Sequence, residues 1–257
     1  MAPPVAQPPP MPAVPVQNMI IVGSLLSGEM GQIFTRVLSA FRIVEHEGMR
    51  VNTTGQSLWS NDTTHLVCVT SVMTPEQQSV ASFRRAQPSQ YSGAAGGRLT
   101  KPTMKYFQAL LNGKWVVDIQ WLLDSERAGF WLPEDNYEIA GDTLGGFTDA
   151  PRRSRLLHLS IQAGSTPASS KHLFGGQTFC VDELVGCQLT PQDAKILIGL
   201  GGGQVKSIAE AGGHSVTVLM NPTMLSSPRA KSLAAQGFNL VGFSWLTEAI
   251  SSFKLNS

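Results

Sequence analysis

The second half of this chain is a shortened copy of the first, and that constrains the fold more than any other feature. VDIQWLLD at 117–124 returns as VGFSWLTE at 241–248. PTMK at 102–105 is echoed by PRAK at 228–231, and the apolar opening NMIIV at 18–22 by QTFCV at 177–181. The offset between copies falls from about 159 positions at the opening segment to about 124 at the tryptophans, so the first copy carries its extra length in its middle. A chain of 257 residues is long enough for two ordinary domains. Each copy alternates short β-branched runs with helical stripes, which implies a small parallel sheet flanked by helices, built twice.

In the first copy, Ile20–Ser24 and the run 62–69 (DTTHLVCV) read as buried strands. Ser27 is placed to cap a helix whose stripe is Ile33, Phe34, Val37, Leu38 and Phe41. Met104, Phe107 and Leu111 mark a second helix, and Trp115–Val117 another strand. Asp118 is positioned to cap a helix over 119–128 that Gly129 ends. Trp121 and Trp245 belong to the core. The proline-rich residues 1–17 read as a disordered tail without the basic start and apolar centre of a secretory signal. The first domain is expected over 18–140, with a Ser/Gln/Gly-rich insertion at about 71–100. A linker over 141–172, with solvated arginines at 152, 153 and 155, leads to the second domain at 173–257.

Composition closes off several classes of function. A hydrophobic fraction of 42% with 14% charged residues supports real cores, and a net charge of +1 gives no general attraction to nucleic acid or anionic lipid. Any anion site must be local. No apolar run approaches the roughly 20 residues that span a bilayer. The three cysteines lack C-x-x-C spacing and read as buried thiols in a reducing compartment. The two Asn-x-Thr sequons, at Asn52 and Asn61, read as chance. The glycines at 199–203 follow a helical stripe, so they end a helix rather than cradle a nucleotide. No histidine has metal-ligand spacing, and no nucleophile–base arrangement can be read, so neither enzyme activity nor a cofactor, metal or small-molecule substrate is expected.

Lys105 is out of place for a plain helix. It falls in the first turn, where the positive end of the dipole disfavours a cation. An anion bound there would reverse the sign of that effect, because helix N-termini offer unpaired N–H groups and a phosphate brings about −1.5 to −2 charges.

Together, Thr63-Thr-His-Leu-Val67, Lys105-Tyr-Phe107, Gly113-Lys-Trp-Val-Val117, Trp121 and Tyr137-Glu-Ile139 resemble BRCT domains. The pair of copies resembles the tandem BRCT repeats of the breast-cancer tumour suppressor and its RING-domain partner. The stretches 151–155, 200–205 and 252–255 lean toward the partner's branch. The resemblance implies two α/β domains, each a parallel four-stranded sheet flanked by helices, packed head to tail. It implies a nuclear phosphoserine-binding interaction module of the DNA-damage response or chromatin signalling. By that resemblance the phosphate is held by the Ser24 hydroxyl, the Leu25 N–H and Lys105, with Thr103 assisting. Phe107, Leu189 and Thr247 form a pocket for the residue three positions after the phosphoserine, with Pro102 beside the peptide backbone. Leu25 replaces the family's glycine, Pro102 an arginine and Thr247 a leucine. Glu183 stands where Ser24 does in the first copy, so one phosphate pocket is expected and not two. The alternative is a docking module for ubiquitinated nucleosomes, as part of a RING ubiquitin-ligase complex, through Arg152, Arg153, Arg155 and loops.

Overall fold

A computed structural model describes residues 15–72, 98–165, 172–182, 189–212 and 215–255. The first sheet has the strand order β2-β3-β1-β4-β7, from β1 (Val16–Ser24), β2 (Ile43–His46), β3 (Met49–Gln56), β4 (His65–Cys68) and β7 (Trp115–Asp118). Four of its strands run parallel, as expected, and β2 adds an antiparallel fifth at the edge. The strands β4 and β7 are almost wholly buried, which is why HLVC and WVVD read as continuous apolar runs. Strand β1 begins at Val16, two residues inside the expected tail, because Val16 and Gln17 keep register with Arg50 and Val51 of β3. Residues 1–14 lie outside the described residues.

Helix α1 (Gly28–Ala40) covers one face of this sheet with Ile33, Val37 and Leu38 buried, and α2 (Met104–Leu111) covers the other. Ser27 sits at the N-cap of α1 but makes no side-chain capping bond. Helix α3 (Gln120–Ala128) follows β7. Asp118 Oδ1 accepts the Gln120 N–H at 2.7 Å, and Gly129 closes the helix in the left-handed region at φ 80°. Trp121 is fully buried, stacked on His65, with its indole N–H on the Leu132 carbonyl at 2.7 Å.

The second repeat has the order β11-β10-β12-β13, all parallel, from β10 (Thr178–Val181), β11 (Gln204–Val205), β12 (Val216–Met220) and β13 (Asn239–Gly242). Its helices are α5 (Pro191–Leu200), α6 (Ile208–Ala211), α7 (Pro228–Ala235) and α8 (Phe243–Ser252). Gly201 ends α5 as anticipated. Trp245 is half-buried against Phe174 and Phe179. The repeats meet through one shared apolar core, in which Phe107 and Leu110 of α2 join Leu197 and Ile198 of α5 and Leu246 and Ile250 of α8.

Two expectations need correction. Residues 73–97 of the insertion lie outside the described residues, but its ends are ordered. The antiparallel pair β5 (Thr70–Val72) and β6 (Arg98–Thr100) joins β8 (Gly141–Asp142) and β9 (Gly146–Phe147) in a third small sheet. The segment between repeats, read as a loop-like linker, contains the 13-residue helix α4 (Ala150–Gln162). Pro151 in its first turn presets a helical φ, and Ala150 and Pro151 are buried. Gly113, at φ 59°, lets α4 lie close, since a Cβ there would fall 2.4 Å from the His158 ring.

The solvated-arginine reading fails for Arg155, whereas Arg153 stays exposed. Arg155 is buried, makes a bidentate pair with Glu138 at 2.9 and 2.8 Å, and lies 3.4 Å over the Trp115 ring. Arg153 donates to carbonyls of Thr148, Ser252 and Phe253, tying α4 to the carbonyl end of α8. Sequence shows only a basic cluster; Glu138 and the carbonyls at the end of α8 that receive it lie 17 and about 100 residues away along the chain.

A polar cluster lies at the seam. Asp142 is fully buried and its Oδ1 accepts the N–H groups of Leu144 and Gly145. Its Oδ2, the Tyr106 hydroxyl and the Ser251 hydroxyl are buried without a hydrogen-bond partner of normal geometry. Burial pushes the Asp142 carboxyl above its ordinary range, opposed by those N–H groups and by the nearby Ser251 and Tyr106 hydroxyls.

Two outcomes follow from this packing. Arg155→Leu strands the Glu138 carboxylate and should cost about 3–5 kcal/mol in urea unfolding, much of it recovered in the double variant with Glu138→Leu. Asp142 favours its neutral form in the fold, so the stability it contributes is full below the ordinary carboxylate range near pH 4 and is lost as pH rises through the raised folded value. The urea midpoint of the native chain should therefore fall over that window relative to Asp142→Asn.

Candidate functional site

Strand β1 ends at Ser24, on the same edge of the sheet where α2 begins. Thr103 is the N-cap of α2, its hydroxyl accepting the Tyr106 N–H at 3.2 Å. That hydroxyl also lies 2.8 Å from the Ser24 hydroxyl, which is 4% exposed. Two residues past that cap, in the first turn, the Lys105 ammonium donates to the carbonyls of Gly23 and Ser57, each at 2.8 Å. Ser24, Thr103 and Lys105 thus form one cluster at the end of β1, linked through Gly23 and Ser24 on one side and Thr103 and Lys105 on the other.

The two carbonyls were not legible as partners of Lys105 from the sequence. They become neighbours because β1 and β3 pair in parallel with Val22 opposite Gln56, which brings Gly23 beside Ser57. An ammonium has three donors, and two are taken here, so one remains. The hydroxyl pair likewise has two protons, of which the mutual bond uses one. The chemistry offered is therefore a cation and a hydroxyl donor side by side at a helix N-terminus.

Leu25 follows directly, with φ 57° and a side chain 58% exposed. The left-handed backbone explains why glycine suits this position and leucine is strained there. The side chain itself points away from the packed interior.

The remaining expected residues divide differently. Phe107 is buried in the inter-repeat core, with Leu189 packed half-buried against the same cluster. Thr247 lies on α8 beside Leu246 of that cluster, its hydroxyl donating to the Ser244 carbonyl at 2.9 Å. Pro102 is half-buried just ahead of the Thr103 cap. In the second repeat Lys231 is exposed on α7, and Glu183 lies outside the described residues. Cys68, paired in register with Ser24, is no nucleophile: burial pushes its thiol up to about 12. Among the described residues no cluster of histidine, cysteine and carboxylates could hold a metal ion, and no helix is long and apolar enough to cross a membrane.

Residues 38–126 match the family model of the BRCA1 C Terminus (BRCT) domain. The BRCT5–BRCT6 domains of Brc1 from S. pombe superpose with a TM-score of 0.54 at 14% identity, covering 93% of this chain and 95% of that one. The fold is a tandem BRCT repeat. Among curated proteins the chain is 24% identical to BRCA1-associated RING domain protein 1 of Arabidopsis thaliana, over 93% of this chain and 31% of that protein. It is 25% identical to the breast cancer type 1 susceptibility protein homolog of Mus musculus, over 59% of this chain and 8% of that protein. The chain thus spans about a third of the plant relative's length and less than a tenth of the mouse one's. The BRCT family match covers α2 and Lys105, and ends within α3.

Leu25→Gly removes the left-handed strain at the mouth of the cluster. It should raise stability by about 0.5–1 kcal/mol in urea unfolding, after the extra freedom of glycine in the unfolded chain is counted.

Proposed function

We propose that this tandem BRCT repeat is a phosphoserine-peptide-binding interaction module of a nuclear protein in DNA-damage or chromatin signalling. The observation that carries the reading is the Lys105 ammonium, held at the start of α2 by the Gly23 and Ser57 carbonyls with one donor to spare, next to the Ser24–Thr103 hydroxyl pair. Two carbonyls fix the ammonium before any ligand arrives, so little side-chain entropy is left to lose on binding. A phosphate here meets a cation, a hydroxyl, the Leu25 N–H and the N-terminal end of a helix. A free carboxylate brings one charge and two oxygens to the same place, where phosphoserine brings nearly two charges and three oxygens. Phe107 and Pro102 of the first repeat, with Leu189 and Thr247 of the second, are the residues that would read the peptide beyond the phosphate. The Arabidopsis relative's RING-associated name and the mouse relative's breast-cancer susceptibility name support the setting.

Docking to a nucleosome through the linker arginines has less support, since Arg155 is buried against Glu138 and the exposed Arg153 already donates to backbone carbonyls of this chain.

Fluorescence anisotropy against a phosphoserine peptide library and its unphosphorylated twin tests the reading. Tight binders should lose roughly 10- to 100-fold in affinity on dephosphorylation, and by a similar factor in Lys105→Met. Ser24→Ala, which leaves the lysine clamp in place, should weaken the phosphorylated form alone. Equal binding of both twins, or no loss in either variant with the fold intact by circular dichroism, would sink it.

A further inference from the structure

A groove of about 720 Å³ runs along the first repeat between α1 and β3, and it shares Leu25 and Lys105 with the cluster described above. Its wall follows α1 from Gly31 to Arg42, a helical span of roughly 16 Å. That length matches about five residues of extended chain. The floor is the end of β3, from Thr53 to Ser57.

Three features of the floor point to an extended ligand. First, among the described residues it is an open strand edge. Strand β2 pairs with β3 only as far as Asn52, and the Arg42 carbonyl takes the Thr53 N–H at 2.8 Å. Arg50 turns its N–H toward β1, onto the Pro15 carbonyl, so odd-numbered residues of β3 face the other way. The N–H and C=O of Gly55 are therefore directed to the uncovered side. Second, Thr53 lines the groove, and its hydroxyl, buried in a residue only 6% exposed, has no hydrogen-bond partner among the described residues. A buried hydroxyl left so is costly unless something supplies a partner. Third, the charge is one-sided: Lys105 and Arg42 line the groove, and none of the described residues lining it is a carboxylate.

Building on the phosphoserine reading above, we propose that this groove receives the flank of the phosphopeptide lying away from the second repeat. That flank adds as a strand to the β3 edge at Gly55 and places an acidic residue four or five positions from the phosphoserine against Arg42. Main-chain pairing supplies affinity with little demand on sequence, and the arginine supplies the sequence preference. Glycine at 55 is required by the same geometry, because a Cβ there would meet Leu38 Cδ1 at 2.6 Å.

The test uses the tightest phosphoserine peptide from the library, fluorescein-labelled, with a single glutamate walked from six positions before to six after the phosphoserine. The expected result is a two- to fivefold gain four or five positions out on one side only, abolished in Arg42→Ala while dependence on phosphate and Lys105 persists. N-methylation of that flank at the residue facing Gly55 should weaken binding about fivefold, and at its neighbours far less. Hydrogen exchange at the Gly55 amide should slow on binding. Phosphate-dependent binding with no flank preference, no effect of Arg42→Ala and unchanged Gly55 exchange overturns the groove proposal and leaves the phosphate site standing. A Gly55 amide already protected in the free protein also overturns it, since another part of the chain then holds the edge. Loss of phosphate dependence itself removes both.

Discussion

The burial of α2 is the constraint on which the rest of this structure depends. Tyr106, Phe107, Ala109, Leu110 and Leu111 are all buried, against the first sheet on one side and the second repeat on the other. A helix held from both sides cannot slide or rotate without opening two cores, so its first turn is fixed in space. Thr103 and Lys105 belong to that turn. Packing free energy far from the cluster is therefore what sets the position of the ammonium relative to the end of β1.

The second repeat supports this cluster without lending it a side chain. Its α5 and α8 complete the core around α2, while α4 locks the arrangement from behind. Ser154 donates to the Leu110 carbonyl, and Arg153 reaches the last carbonyls of α8. Arg155 with Glu138 and Trp115 fastens the same helix to β7 and the segment after α3. What resembles a connector in the sequence is a third structural partner of both repeats. The buried Asp142, Tyr106 and Ser251 mark where the joint is polar, and so where its strength follows pH.

The cluster itself shows what a leucine does where the backbone suits glycine. Leu25 adopts the left-handed backbone that glycine takes at little cost, and its side chain stands in solvent beside the groove. The N–H is retained, the strain is local, and an apolar surface is added at the mouth.

Much of this was legible in the residues themselves. The internal repeat implied two similar domains; the stripes of α1 and α2 and the apolar runs of β4 and β7 followed from periodicity, because solvent exposure repeats with the geometry of each element. Even the oddity of Lys105 is a local fact, a cation at the wrong end of a dipole. Tertiary structure alone decided which groups share a space. That Gly23 and Ser57 hold Lys105 depends on the parallel register of β1 and β3; that Arg155 is buried depends on Glu138 arriving beneath it; that β3 has an open edge among the described residues depends on β2 stopping at Asn52. Sequence encodes the period and polarity of each segment, whereas contacts between distant segments arise only when whole faces pack, and no single residue carries that information.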